Sequence, residues 1–116
     1  TYYKAINMAT GEVIADKVKI ARDFRSRSVG LLNRVSLGQE EALVIKPCNS
    51  IHTFFMKFPI DVVFLDKRGA VVKLVKSLKP WRLSACIPMG FMVLELSEGK
   101  LEEINIKQGD LIKITK

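Results

Sequence analysis

The sequence predicts a mainly β fold: a compact antiparallel barrel or sandwich of short strands, with one amphipathic helix near the N-terminal third. Three observations lead there. Apolar residues recur mostly with period two, in eight or nine short runs. Turn formers separate the runs, as at Thr10-Gly11, Arg68-Gly69, Met89-Gly90 and Gly109-Asp110. One segment, residues 23–33, departs to a helical period.

The elements follow in order. Tyr2 to Met8 alternates loosely and reads as a first strand, and the turn at Gly11 returns it as Val13 to Ile20. Asp16 and Lys17 interrupt that second strand, which predicts a bulge or bend. Phe24, Ser28, Leu31 and Leu32 share one helical face, and Asp23 supplies a side-chain cap for the first free N–H groups. Strand pattern resumes in Ala42 to Lys46, His52 to Met56, Ile60 to Leu65 and Val71 to Leu78, the last two joined by a hairpin loop ending at Gly69. Leu83 to Ile87 and Phe91 to Ser97 are further strands. A helical turn is favoured over Lys100 to Asn105, and Leu111 to Thr115 closes the chain. The run Ile60 to Leu65 is apolar on both faces apart from Asp61, so it belongs at the centre of the sheet.

Length and composition bound the function. The chain has 116 residues, 48% of them hydrophobic, and reads as a single domain over 1–116 with its own core. That content excludes a disordered chain. The longest apolar runs reach four residues, so no membrane-spanning segment is predicted. Nineteen basic against twelve acidic residues give a net charge of +7. Arg22, Arg25, Arg27 and Arg34 form one loose basic group, and Lys73, Lys76, Lys79 and Arg82 another. Lys73 and Lys76 alternate with apolar residues, as on a solvated strand face, and the chain carries no motif of a nucleic-acid reader. The sequence thus argues against a nucleic-acid partner and leaves a small ligand or a protein.

Candidate chemistry is sparse. Cys48, His52 and Cys86 are too few and too scattered for a structural zinc site, so no metal or cofactor is implied, and the two cysteines read as reduced, buried thiols. Nothing in the sequence resembles a signal peptide, which places the chain in the cytoplasm as it stands. An N-terminal signal removed before Thr1 would make it exported. In an extended chain Cys48, Ser50, His52, Phe54 and Met56 point one way, which puts a thiol, a hydroxyl and an imidazole on one face. Asp61 and Glu95 sit inside otherwise apolar runs. They read either as acids lining a pocket or as carboxylates satisfied by backbone N–H groups or an arginine. Trp81, in the Lys79-Pro80-Trp81-Arg82 loop, reads either as an exposed binding residue or as a cap on the barrel end. Asp66 and Asp110 are turn formers. The Phe58-Pro59 break allows a bend that brings His52 and Asp61 together.

The segment Ser50-Ile51-His52-Thr53-Phe54-Phe55-Met56-Lys57-Phe58-Pro59-Ile60-Asp61-Val62-Val63-Phe64-Leu65-Asp66 resembles the signature of the domain-of-unknown-function 192 family. Gly30-Leu31-Leu32-Asn33-Arg34, Val93-Leu94-Glu95-Leu96 and Ile106-Lys107-Gln108-Gly109-Asp110 are similar to its other blocks. Ser97-Glu98-Gly99 departs from the family pattern, in which a small residue often precedes the glycine. The resemblance implies a small bacterial or archaeal β-rich domain with no established reaction. Two function classes follow. One is a binding or interaction module with a pocket or groove formed by His52, Thr53, Met56, Asp61, Glu95 and Trp81. The other is a small hydrolase-like or thiol enzyme using Cys48, His52, Asp61 and Glu95. A single histidine and no ligand cluster favour the first.

Overall fold

The computed structural model describes residues 2–22 and 34–116. The strands are β1 (Tyr3–Asn7), β2 (Val13–Ala21), β3 (Glu41–Ile45), β4 (Ile60–Leu65), β5 (Val71–Leu78), β6 (Met92–Ser97) and β7 (Ile112–Thr115). Among the described residues the helix is α1 (Lys100–Glu103), within the stretch expected to make a helical turn. The helix predicted over 23–33 lies outside the described residues.

All seven strands join one sheet in the order β5-β4-β6-β3-β2-β1-β7. The mainly β class is correct, but the sheet is not wholly antiparallel. β2 and β3 pair in parallel, with Lys17 opposite Glu41 and Ala21 opposite Ile45. The connection between them, 22–40, is long enough for the crossover that a parallel pair requires. The bulge expected at Asp16 and Lys17 is present. β1 advances two residues from Tyr3 to Ala5 while β2 recedes three, from Val18 to Ala15.

The sheet curls. Ala5, Ile14, Val44, Val63, Leu94 and Ile112, drawn from strands across its whole width, pack into one buried cluster with Leu101 of α1. Its two edges meet at one end through Ala70 and Leu111. The N–H of Val71 donates to the Asp110 carbonyl at 2.9 Å, that of Gly109 to Val71 at 2.8 Å and that of Ile112 to Gly69 at 2.8 Å. Glycine is required at this seam. Gly69 has φ +91°, and a Cβ there would lie 2.7 Å from the Ile112 carbonyl oxygen. Asn7, fully buried, locks the same end by donating from Nδ2 to Asp110 Oδ2 at 3.0 Å and to the Asn105 carbonyl at 3.1 Å. That bond from Asn7, aided by the Lys107 N–H, holds the Asp110 carboxyl below its usual range.

A second cluster covers the convex face of β3, β6 and β4. Leu43, Ile60, Val62, Phe64 and Val93 meet Ile51, Met56 and Phe58 from the segment before β4. β4 is therefore buried on both faces along its whole length, as its composition predicts.

Arg34 and Glu41 form a bidentate pair, both bonds 2.8 Å, and the Gly38 N–H adds a third at 2.8 Å. The hydrogen bonds from Arg34, which outweigh the opposing cost of burial, hold the Glu41 carboxyl down to about 2. A depressed carboxylate pKa stabilises the fold above its unfolded value and loses that contribution as pH falls through the folded one. The window here runs from about 4.5 down to about 2. Urea unfolding across this range is expected to show a shallower fall in stability for Glu41→Gln than for the wild type. Equal slopes would show that the pair does not couple to folding.

Candidate functional site

The segments flanking β4 and preceding β6 do not form the two regular strands expected at His52 to Met56 and Leu83 to Ile87. They make an irregular antiparallel ladder over the convex face. Pro47, Pro59, Pro80 and Pro88 bound these runs, and positive φ at Phe55 and Trp81 breaks the extended backbone. One bridge, His52 to Leu83, is all that remains of regular pairing. Around it the Ile87 N–H donates to the Asn49 carbonyl and the Ser84 N–H to the Ile51 carbonyl, both at 2.9 Å.

Thr53 pins the end of this ladder. It is fully buried. Its N–H donates to the Arg82 carbonyl at 2.9 Å, and its carbonyl accepts from the Trp81 N–H at 3.0 Å. Its hydroxyl donates to the Lys79 carbonyl at 2.6 Å and accepts from the Arg82 N–H at 2.9 Å. Met56 lies beneath, buried in the convex cluster.

Above Thr53 the aromatic side chains meet in the open. The His52 and Phe54 rings stack with centroids 5.0 Å apart, and Phe54 lies 6.1 Å from Trp81. Phe55 tilts 58° against Trp81 at 4.7 Å. Phe55 is 67% exposed, Trp81 56%, and Leu83, bridged to His52, 69%. Trp81 is thus exposed rather than a cap on the barrel end. Both Phe55 (φ +67°) and Trp81 (φ +65°) occupy the left-handed region. A non-glycine residue pays about 1–2 kcal/mol to sit there.

The acids are elsewhere. Asp61 is buried, its Oδ1 accepting the Ser77 N–H and its Oδ2 the Leu101 N–H, each at 2.9 Å. It projects to the concave face with Val63 and Leu65, whereas Ile51 and Met56 cover the convex one. The bend expected to couple His52 to Asp61 therefore leads to opposite sides of β4. Glu95, also buried, alternates with Leu94 and Leu96 and so shares the convex face with Val93, opposite Leu43 and Val62. Asp61 and Glu95 do not line one pocket. Of the two readings of these acids, Asp61 follows the backbone-satisfied one.

The two cysteines are not the buried thiols expected. Cys48 is half-buried, its Sγ donating to the Ser50 carbonyl at 2.9 Å, and Cys86 is exposed, with no disulfide between them. No group of three metal-ligating side chains occurs among the described residues. Asp66 and Asp110 are the turn formers expected. Asp66 Oδ1 accepts the Ala70 and Arg68 N–H groups, and the Ala70 bond leads in holding its carboxyl below its usual range.

At the far end of the ladder a cleft of about 400 Å³ opens between Lys67, Arg68, Pro88, Met89 and Phe91. The exposed Leu83 and Met89 were not among the residues that the sequence singled out. The signal was in the charge pattern: residues 47–60 and 79–94 contain no acid, and their basic residues are Lys57, Lys79 and Arg82.

The comparisons agree with this architecture. The family model DUF192, described as an uncharacterised family, matches residues 5–114. The chain belongs to the DUF192 family. It is 32% identical over 114 residues to a UPF0127 protein of Thermococcus kodakarensis, covering 95% of this chain and 72% of that one. A UPF0127 protein of Pyrococcus horikoshii is 38% identical over 100 residues, covering 84% and 86%. Among solved structures, a protein of unknown function from Novosphingobium aromaticivorans superposes with a TM-score of 0.80 at 20% identity, covering 96% of this chain and 82% of that one. At that identity the likeness shows the DUF192 fold alone.

Proposed function

We infer that this DUF192 protein is a binding module whose contact surface is the exposed side of the ladder, centred on Phe55 and Trp81. The observation that carries this reading is the backbone. Two large aromatic residues are held in a left-handed conformation and presented to water by hydrogen bonds converging on the buried Thr53. Strain of this kind collects at ligand-contacting sites. Exposed, rigid aromatics are also the side chains that dominate binding energy where surfaces meet. Of the residues expected at the site, His52, Thr53 and Trp81 come together here. Met56 supports them from below, and Asp61 and Glu95 serve the two faces of the core. The alternative enzyme would need Cys48, His52, Asp61 and Glu95 to converge, and the opposed directions of the two acids weigh against it.

The test is a thermal-shift screen of small metabolites against the wild type and Trp81→Ser. A compound bound on the ladder raises the unfolding temperature of the wild type alone. Compounds that stabilise both proteins equally would place binding elsewhere and overturn the reading. A companion variant separates stability from function. Phe55→Gly relieves the left-handed strain while losing a ring contact of about 0.5–1.5 kcal/mol. It is expected to unfold within about 0.5 kcal/mol of the wild type while losing ligand response. A loss above about 2 kcal/mol would mean that Phe55 is there for packing.

A further inference from the structure

The ladder also specifies its partner by chemistry, and this step rests on the binding reading above. Large apolar side chains exposed singly are ordinary, but here they gather. Phe54, Phe55, Trp81, Leu83 and Met89 make up half of the exposed large apolar residues among those described, all on one ladder. The charges of the same segments have one sign. Lys57, Lys79 and Arg82 are exposed, none forms an ion pair within the described residues, and no acid lies in residues 47–60 or 79–94. The complement of such a surface is negatively charged and apolar.

We propose that the ladder docks onto an anionic lipid bilayer. Phe55, Trp81 and Leu83 enter the boundary between headgroups and acyl chains, and Lys57, Lys79 and Arg82 face the lipid phosphates. Tryptophan and phenylalanine beside lysine and arginine are the residues that hold peripheral proteins at this depth. A single-stranded nucleic acid would meet the same charge, but it needs open ring faces for its bases. Here His52, Phe54 and Trp81 already stack on one another and Phe55 closes against Trp81. Leu83, an aliphatic side chain, suits hydrocarbon and offers no stacking surface. The net charge of +7 adds long-range attraction to an anionic leaflet.

The experiment is co-sedimentation of the whole chain with vesicles of equal parts phosphatidylcholine and phosphatidylglycerol, and with phosphatidylcholine alone. Trp81, the one tryptophan, reports directly, since its emission shifts to the blue as the indole leaves water. Binding to the anionic vesicles is expected to exceed that to phosphatidylcholine by on the order of 100-fold, given three basic residues at the surface. It should weaken with salt. The triple variant Lys57→Gln, Lys79→Gln, Arg82→Gln should bring the two lipids level. Trp81→Ser should abolish insertion. If Trp81→Ser fails to fold by circular dichroism, Leu83→Ser, an exposed position, carries the same test through the Trp81 shift. Anionic-vesicle binding unchanged in these variants overturns the proposal, as does tighter binding to oligothymidylate than to vesicles. Failure on vesicles while metabolites still stabilise the wild type through Trp81 sinks the bilayer alone. Failure of both sinks the binding surface with it.

Discussion

Replacing Phe64 by alanine is expected to cost about 3–5 kcal/mol, a large share of the 5–15 kcal/mol by which a domain is typically stable. Phe64 is fully buried on the convex face, in register with Val93 of β6 and Lys73 of β5. The cavity would open inside the cluster that seats the ladder on the sheet, among Ile60, Val62 and Met56. Strands on both sides of β4 resist collapse into it, which keeps the cost near the upper end of the range. The measurement is equilibrium urea unfolding. A loss below about 1 kcal/mol would show that the convex cluster is not a structural core.

Asp61→Ala is expected to be comparably damaging, by about 2–5 kcal/mol, although it removes little apolar surface. The carboxylate joins three elements. It sits on β4, accepts from Ser77 near the end of β5, and accepts from Leu101 in the first turn of α1. Without it the buried Leu101 N–H loses its acceptor, at about 1–3 kcal/mol, and the N–H of Ser77, an exposed residue, loses a hydrogen bond worth about 1 kcal/mol. Asp61→Asn keeps one accepting oxygen but turns an NH2 group toward a donor, so it should recover only part of the loss. Were Asp61→Ala to cost under about 1 kcal/mol, the carboxylate would be a bystander. Thermal unfolding with hydrogen exchange at Ser77 and Leu101 would separate local fraying from global loss.

Much of the sheet was legible in the sequence because its causes are local. β4 declares itself by apolar residues on both faces, the β4–β5 hairpin by Gly69, and the β2 bulge by two charged residues in mid-strand. The parallel β2–β3 pair was not legible, because strand direction depends on where a long connection returns. The acids misled for a related reason. Alternation says which residues of one strand share a face, and only the register of Asp61 against Leu96 reveals that Glu95 faces the other way. The ladder was misread as two strands because short apolar runs have the same period whether or not they pair regularly. Its prolines were the better guide.

The sheet order also dictates how the chain can be assembled during synthesis. β1 lies between β2 and β7, strands from opposite ends of the fold, and Asn7 is tied to Asp110 across 103 residues. A nascent chain leaving the ribosome therefore carries β1 with one naked edge and Asn7 without its carboxylate until Asp110 and β7 emerge. Such distant pairings make folding slow. They also expose the unfinished chain to strand-to-strand association with its neighbours on the same messenger. The seam can close only once β7 has been made.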